Sequence, residues 1–193
     1  FMIGKLYANG KGTAKNLELA AFWYRRSANQ GDARAQNNLG SMYKTGRGVE
    51  QSYVEAHRWY QLAADQGEAF AQVNLALLYE HGDGVAKDMS TAIHWYTRAA
   101  EQGDQVAQIQ LGNIFVKGHG IEKNTPTALR WYRRAAEKGM AIAQFNIGVV
   151  LHYGDGIAPN EAEAARWYRL AAEQGHPAAT NNLGVLYRDG LGV

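Results

Sequence analysis

The sequence predicts an all-α fold, an α-solenoid of 36-residue helix-turn-helix repeats. Three observations predict it. Trp23, Trp59, Trp95, Trp131 and Trp167 recur every 36 residues, each followed by a tyrosine, with no insertion or deletion between them. Glycines keep the same period at 31, 67, 103, 139 and 175, and alanines at 35, 71, 107, 143 and 179. Gly-x-Gly pairs fall at 46/48, 82/84, 118/120 and 154/156. One helix pair cannot bury its apolar face alone, so a fixed period of this length implies units that stack on their neighbours.

The period divides the chain, as one array over 1–193, into a partial repeat 1–30, full repeats 31–66, 67–102, 103–138 and 139–174, and a partial repeat 175–193. Phe1 aligns with Asn37, Val73, Ile109, Phe145 and Asn181, so the first repeat is entered partway, which reads as a segment of a longer protein.

Each repeat is expected to hold two helices. In the first full unit Asp32 caps helix A, whose Ala35, Leu39, Met42 and Tyr43 make one stripe of a 3.6-residue period. Gly46 and Gly48 end it, since glycine enters left-handed backbone without a Cβ penalty. Ser52 caps helix B, whose stripe is Ala56, Trp59, Tyr60, Ala63 and Ala64, closing at Gly67. Position 40 is small in every copy (Gly40, Ala76, Gly112, Gly148, Gly184), and small residues at 40 and 56 are expected to meet where the helices cross, with the tryptophan filling the space between units. Pro126 and Pro177 fall at helix starts, where a missing N–H costs little.

Composition narrows the function classes. The 20 basic and 18 acidic residues nearly cancel, which argues against a nucleic-acid footprint, and no apolar run is long enough to span a membrane. Without cysteine there is no disulfide, thiol nucleophile or thiolate metal site.

The pattern Ala35-Leu39-Gly40-Tyr43-Gly46-Gly48-Val49, followed by Ala92-Trp95-Tyr96-Ala99-Ala100-Glu101-Gln102-Gly103 one unit on, resembles the Sel-1-like repeat family. The resemblance covers the whole chain, and the 36-residue period separates it from the related tetratricopeptide repeat of 34 residues. Phe115 and Leu151 replace the usual tyrosine, and Met140 the usual acidic or small residue, changes of packing detail. The resemblance implies a right-handed superhelix that serves as a scaffold for protein partners, often in exported or periplasmic bacterial proteins. It implies no reaction.

Columns that vary between copies are the ones free to be functional. By analogy with tetratricopeptide arrays, helix A lines the concave groove, with the columns of Arg34, Asn37, Ser41, Lys44 and Thr45 pointing into it. In the central units these columns read Phe70, Val73 and Leu77, then Val106, Ile109, Asn113 and Val116, then Ile142, Phe145, Val149, His152 and Tyr153. The fixed residues already give each helix A a buried face, so this second apolar stripe is expected to take a protein or peptide segment. The structural alternative is that the stripe packs against neighbouring A helices. Arg34, Asn37, Ser41 and Lys44 on one side, with Asn181 and Arg188 on the other, make a polar, partly basic rim.

Two further columns admit a plain and a sharp reading. Asn38, Asn74, Gln110, Asn146 and Asn182 keep a carboxamide in every copy, read as satisfying buried backbone between units rather than gripping a ligand. Helix B carries Arg25, Arg26, Arg58, Arg98, Arg130, Arg133, Arg134, Arg166 and Arg169 outward beside Glu101, Glu137 and Glu173, read as a solvated, charge-mixed face rather than a docking ridge.

Motifs of catalysis, cofactor binding and metal binding are missing, so no cofactor is expected. The six histidines occupy unrelated repeat positions, the turns at Asp83 and Asp155 lack the ligand series of a calcium loop, and the Gly-x-Gly pairs join helix to helix with no Lys-Ser or Lys-Thr. Glu161 and Glu163 read as helix-start charges. The expected function is a non-enzymatic adaptor binding a partner segment in the groove. The alternatives are an inhibitor or immunity-type protein that blocks a toxin or enzyme, and the regulatory arm of an enzyme whose catalytic part lies elsewhere.

Overall fold

The computed structural model describes residues 1–192. Among them are eleven α-helices and no strand: α1 (Met2–Asn9), α2 (Leu17–Ala28), α3 (Ala33–Thr45), α4 (Tyr53–Asp65), α5 (Ala69–His81), α6 (Met89–Glu101), α7 (Gln105–Lys117), α8 (Thr125–Glu137), α9 (Ala141–Tyr153), α10 (Glu161–Glu173) and α11 (Pro177–Asp189). Odd-numbered helices are the A helices of the repeat and even-numbered ones the B helices. The chain forms two compact units, Phe1–Gln102 and Gly103–Val193.

Side chains start nearly every helix. Asp32, Glu68 and Asp104 accept the backbone N–H of Ala35, Ala71 and Ala107 at the A helices, and Asn16, Ser52, Asp88, Asn124 and Asn160 do the same at the B helices. Each such bond satisfies one of the orphan amides of the first turn and contributes about 1 kcal/mol. Met140 makes no cap bond, and at α11 the acceptor is the imidazole Nδ1 of His176.

The Gly-x-Gly turn has two separate causes. Gly46 takes φ 67° as the left-handed end of α3. Gly48, at φ 73°, lies so close to the start of α2 that a Cβ would come within 2.3 Å of the Leu17 carbonyl oxygen. Gly84 stands in the same way against Tyr53. At these two turns the second glycine therefore seats the turn on the B helix of the preceding repeat.

The core of each unit is built from the fixed columns. Ala35, Leu39, Ala56, Ala63, Ala64, Leu75 and Ala92 are sealed from solvent in the first unit, and Ala107, Leu111, Ala128, Ala143, Ile147 and Ala164 in the second. Trp59 joins Ala20, Ala28, Ala35 and Leu39 of the neighbouring helices, the inter-repeat filling expected of it. The small column at 40 serves a different purpose from the one expected. Gly40 does not make room for Ala56. It makes room for the ring of Tyr60, whose Cδ1 would stand 2.7 Å from an added Cβ, and Gly4, Gly112 and Gly148 stand likewise against Tyr24, Tyr132 and Tyr168.

Two amide columns complete the framework. Gln36, Gln72 and Gln144 are buried, and each donates to a carbonyl of the preceding B helix, Ala28, Ala64 and Ala136 respectively. Each also accepts from a glutamine at the end of the following B helix: Gln66 at 2.7 Å, Gln102 at 2.8 Å and Gln174 at 2.7 Å. Satisfying buried backbone between helices, the role expected of the column of Asn38, thus falls to the column of Gln36. The asparagines meet side chains instead: Asn38 and Asn182 bond Tyr24 and Tyr168, Asn74 donates to Asn37, and Asn146 donates to Asn113. Buried phenols need a partner, and for Tyr24 and Tyr168 the glycine that admits the ring lies on the preceding A helix, α1 or α9, while the carboxamide comes from the following one, α3 or α11.

Candidate functional site

The variable stripe on the A helices sorts by burial. In the second unit Val106, Ile142 and Tyr153 are 50 %, 46 % and 68 % exposed. Asn113, Val116, Phe145, Val149 and His152 are half-buried beside them. Ile109 is 7 % exposed and belongs to the core cluster with Ala128, Ala143 and Ile147. In the first unit Phe70 is 65 % exposed, Leu77 is half-buried and Val73 is 8 % exposed. At about 100° per residue Val73 and Ile109 point away from the sealed columns at 71/75 and 107/111, so packing against other helices buries them, as it does Ile109 among Ala128, Tyr132, Ala143 and Ile147 of α8 and α9.

Aromatic rings gather at the α9 end of the stripe. Phe145 stacks on the His176 imidazole at 4.6 Å between centroids and tilts against Tyr168 at 5.9 Å. His152 meets Tyr153 edge-on at 4.6 Å and Tyr168 at 6.4 Å, and its Nδ1 is buried without a hydrogen-bond partner. Tyr168 thus stands between Phe145 and His152, with its phenol pushed by burial up to about 12. Asn113 is taken up internally: its Oδ1 accepts from the Tyr132 hydroxyl at 2.7 Å and from Asn146, while its Nδ2 donates to Gln110.

A concavity of about 480 Å³ that the stripe alone did not reveal lies in the first unit, walled by α1, α3 and the start of α5. Lys5, Arg34, Asn37, Arg47, Phe1 and Phe70 line it. Its signal in the sequence is the polar, basic character of the columns at 34, 37 and 41 in this unit, which marks it as more than a rim.

The arginines of the B helices do more than face water. The guanidinium groups of Arg26, Arg58, Arg98 and Arg134 lie 4.8–5.7 Å over the rings of Trp23, Trp59, Trp95 and Trp131, and Arg133 pairs with Glu163 at 3.3 Å. A stacked guanidinium covers the exposed edge of an otherwise buried indole. Lys123 pairs with Asp155 across adjacent turns, whose backbone carbonyl also accepts from the Thr125 hydroxyl at 2.6 Å. Among the described residues no group of His, Asp and Glu side chains converges to hold a metal ion, and no helix is long and apolar enough to cross a membrane.

Comparison with solved structures places these features. The chain is similar to a Sel1 repeat protein from Oxalobacter formigenes, at 38% identity and TM-score 0.87, over 98% of this chain and 77% of that one. It is similar to c5321, a protective antigen of uropathogenic Escherichia coli with an SLR fold, at 34% identity and TM-score 0.94, over 98% of this chain. The chain spans only 40% of the length of c5321. The immunity protein Pa5087 of Pseudomonas aeruginosa shares the fold at 20% identity and TM-score 0.58, over 92% of this chain and 67% of that one. No curated protein matches the sequence. The Sel1 repeat itself matches at residues 1–32, 33–68, 69–104, 105–140, 141–176 and 177–193, each repeat after the first beginning at the first residue of an A helix. With the repeat matched along its whole length, the chain belongs to the Sel1 repeat family, whose members generally mediate protein–protein interactions.

Proposed function

We propose that the chain is a non-enzymatic scaffold that binds a segment of a partner protein on the variable face of its A helices. In the second unit the face comprises Val106, Asn113, Val116, Ile142, Phe145, Val149, His152 and Tyr153, and in the first unit Phe70 and Leu77. Val73 and Ile109, of the same columns, are buried. One observation carries the reading: Val106 and Ile142 are 50 % and 46 % exposed on helices whose fixed columns already fill the core. The half of each that stays exposed adds nothing to the fold, and exposed apolar surface grouped on one helix face is the usual mark of an interaction site. Tyr153 and His152 add rings with a polar edge, the side-chain type that anchors interfaces at low entropic cost.

The test is affinity capture from native extract with the wild-type chain beside a Val106→Asp, Ile142→Asp double variant, read by mass spectrometry. The reading expects a protein recovered by the first and lost with the second, at unchanged helicity. Equal recovery by both chains would sink it. An inhibitory role against a toxin or enzyme is one form such binding can take, and an activity assay on the captured protein would reveal it.

A further inference from the structure

The concavity of the first unit differs chemically from the second-unit face. Lys5, Arg34 and Arg47 bring three cations to its wall, and all three residues are exposed. The one carboxylate on that wall, Glu68, is committed to capping α5 by accepting the Ala71 N–H at 2.7 Å, where the positive helix end already balances its charge. Among the described residues no ion pair engages Lys5, Arg34 or Arg47. The Arg34 guanidinium lies 5.7 Å over the Phe1 ring, which holds it at the opening beside apolar surface. Asn37 accepts from Asn74 through its Oδ1 at 3.0 Å, which leaves its amide N–H groups able to donate into the cleft.

We infer that this cleft binds an acidic peptide in extended conformation, with side-chain carboxylates on Lys5 and Arg34 and a large apolar side chain against Phe1 and Phe70. The charge balance decides the occupant. Three cations facing one committed carboxylate repel a basic segment and leave a neutral one no return for displacing water from the guanidinium groups. A carboxylate can take the planar Arg34 group through two hydrogen bonds, and the Asn37 amide is placed to hold a backbone carbonyl beside it. The volume of about 480 Å³ falls in the range of sites that enclose ligand side chains. The inference shares only Phe70 with the face proposed above and none of the second-unit residues, so variants at Lys5 and Arg34 test it separately from that reading.

The test selects random peptides, tethered through their C-termini so that only side-chain carboxylates are available, against the immobilised wild-type chain and a Lys5→Glu, Arg34→Glu variant. Both side chains are exposed, and a carboxylate in the first turn of α3 favours the helix, so the variant should keep its circular dichroism. The wild type is expected to enrich peptides rich in Asp and Glu flanking an aromatic or aliphatic residue. The variant should bind those peptides about tenfold more weakly or worse and enrich Lys- and Arg-containing ones in their place. Raising the salt should weaken the wild-type interaction. Enrichment with no acidic bias, or the same acidic preference in the charge-reversed variant, overturns the inference. A Val106→Asp, Ile142→Asp chain should select the same acidic peptides as the wild type, which separates this site from the second-unit face.

Discussion

Gly112 and Tyr132 stand so close that a Cβ on the glycine would lie 2.3 Å from Cε1 of the ring. Gly148 and Tyr168 repeat the arrangement at 2.5 Å, whereas Gly184, in the same column of the last helix, has nothing within 4 Å. Identical substitutions in one repeat column should therefore have opposite signs. Gly112→Ala or Gly148→Ala forces the tyrosine off its rotamer and should cost about 1–3 kcal/mol. Gly184→Ala meets open space in a helix interior and should gain about 0.5–1 kcal/mol, because alanine loses less backbone entropy. Urea midpoints of the three variants check this, and equal signs would refute the account.

That column also shows how far the sequence could be read. The period, the A and B helices, most of their caps and both turn glycines were legible, because each recurs from unit to unit and each has a local cause in backbone geometry. The partner of Gly112 was not, since recurrence reports that a position must be small without reporting which ring fills the space. The same gap separates the two amide columns. Asn38 and Gln36 are both nearly constant, and only the coordinates show that the glutamine reaches a B-helix carbonyl while the asparagine reaches a phenol. At the candidate site, apolar character marked Ile109 and Ile142 alike, but only Ile109 is packed among residues of α8 and α9, so one is core and the other surface.

Gln72 ties three helices together. Its Nε2 donates to the Ala64 carbonyl at 3.2 Å and its Oε1 accepts from Gln102 at 2.8 Å, with the residue fully buried. Gln72→Ala removes both bonds and leaves a void, so it should lower stability by about 1–3 kcal/mol. Gln102→Ala, at an exposed residue, removes the bond to Gln72 and a long one of 3.4 Å to the Arg98 carbonyl without opening a buried void, and should cost about 1 kcal/mol, less than Gln72→Ala. Comparing the two unfolding curves tests the order of effects; a Gln102 variant as unstable as the Gln72 one would contradict it.

Alkaline pH should unfold the chain through its tyrosines. Burial raises Tyr24, Tyr60, Tyr96, Tyr132 and Tyr168 above the ordinary value of 10.0, Tyr60 and Tyr168 to about 12. Tyr96 is raised by burial first and then by Glu80, whose Oε2 accepts its hydroxyl at 2.7 Å. The protonated phenol is the neutral form, so a folded value above the unfolded one gives stability that is complete below about pH 10. That stability is lost as pH rises from there through the folded values. Each buried tyrosine adds a slope of about 1.4 kcal/mol per pH unit in that window. Tyr96→Phe should flatten the fall in urea midpoint between pH 10 and pH 12, and a slope unchanged from wild type would show that Tyr96 ionises without unfolding.

Ile109 and Ile142 separate folding from binding at the proposed face. Ile109 is 7 % exposed within the second-unit core, so Ile109→Asp buries a carboxylate with no partner among Ala128, Ala143 and Ile147 and should cost more than about 3 kcal/mol. Ile142 is 46 % exposed one residue from the helix start, where Ile142→Asp leaves the carboxylate in water near the positive end of α9 and should change stability by no more than about 0.5 kcal/mol. Partner capture should nevertheless be reduced by Ile142→Asp, because a charge placed in an apolar contact must be desolvated without compensation when the partner docks. Thermal unfolding and capture measured on the same two variants decide the point. A stable Ile109→Asp chain would place that side chain at the surface, and an Ile142→Asp chain that binds as well as wild type would remove α9 from the interface.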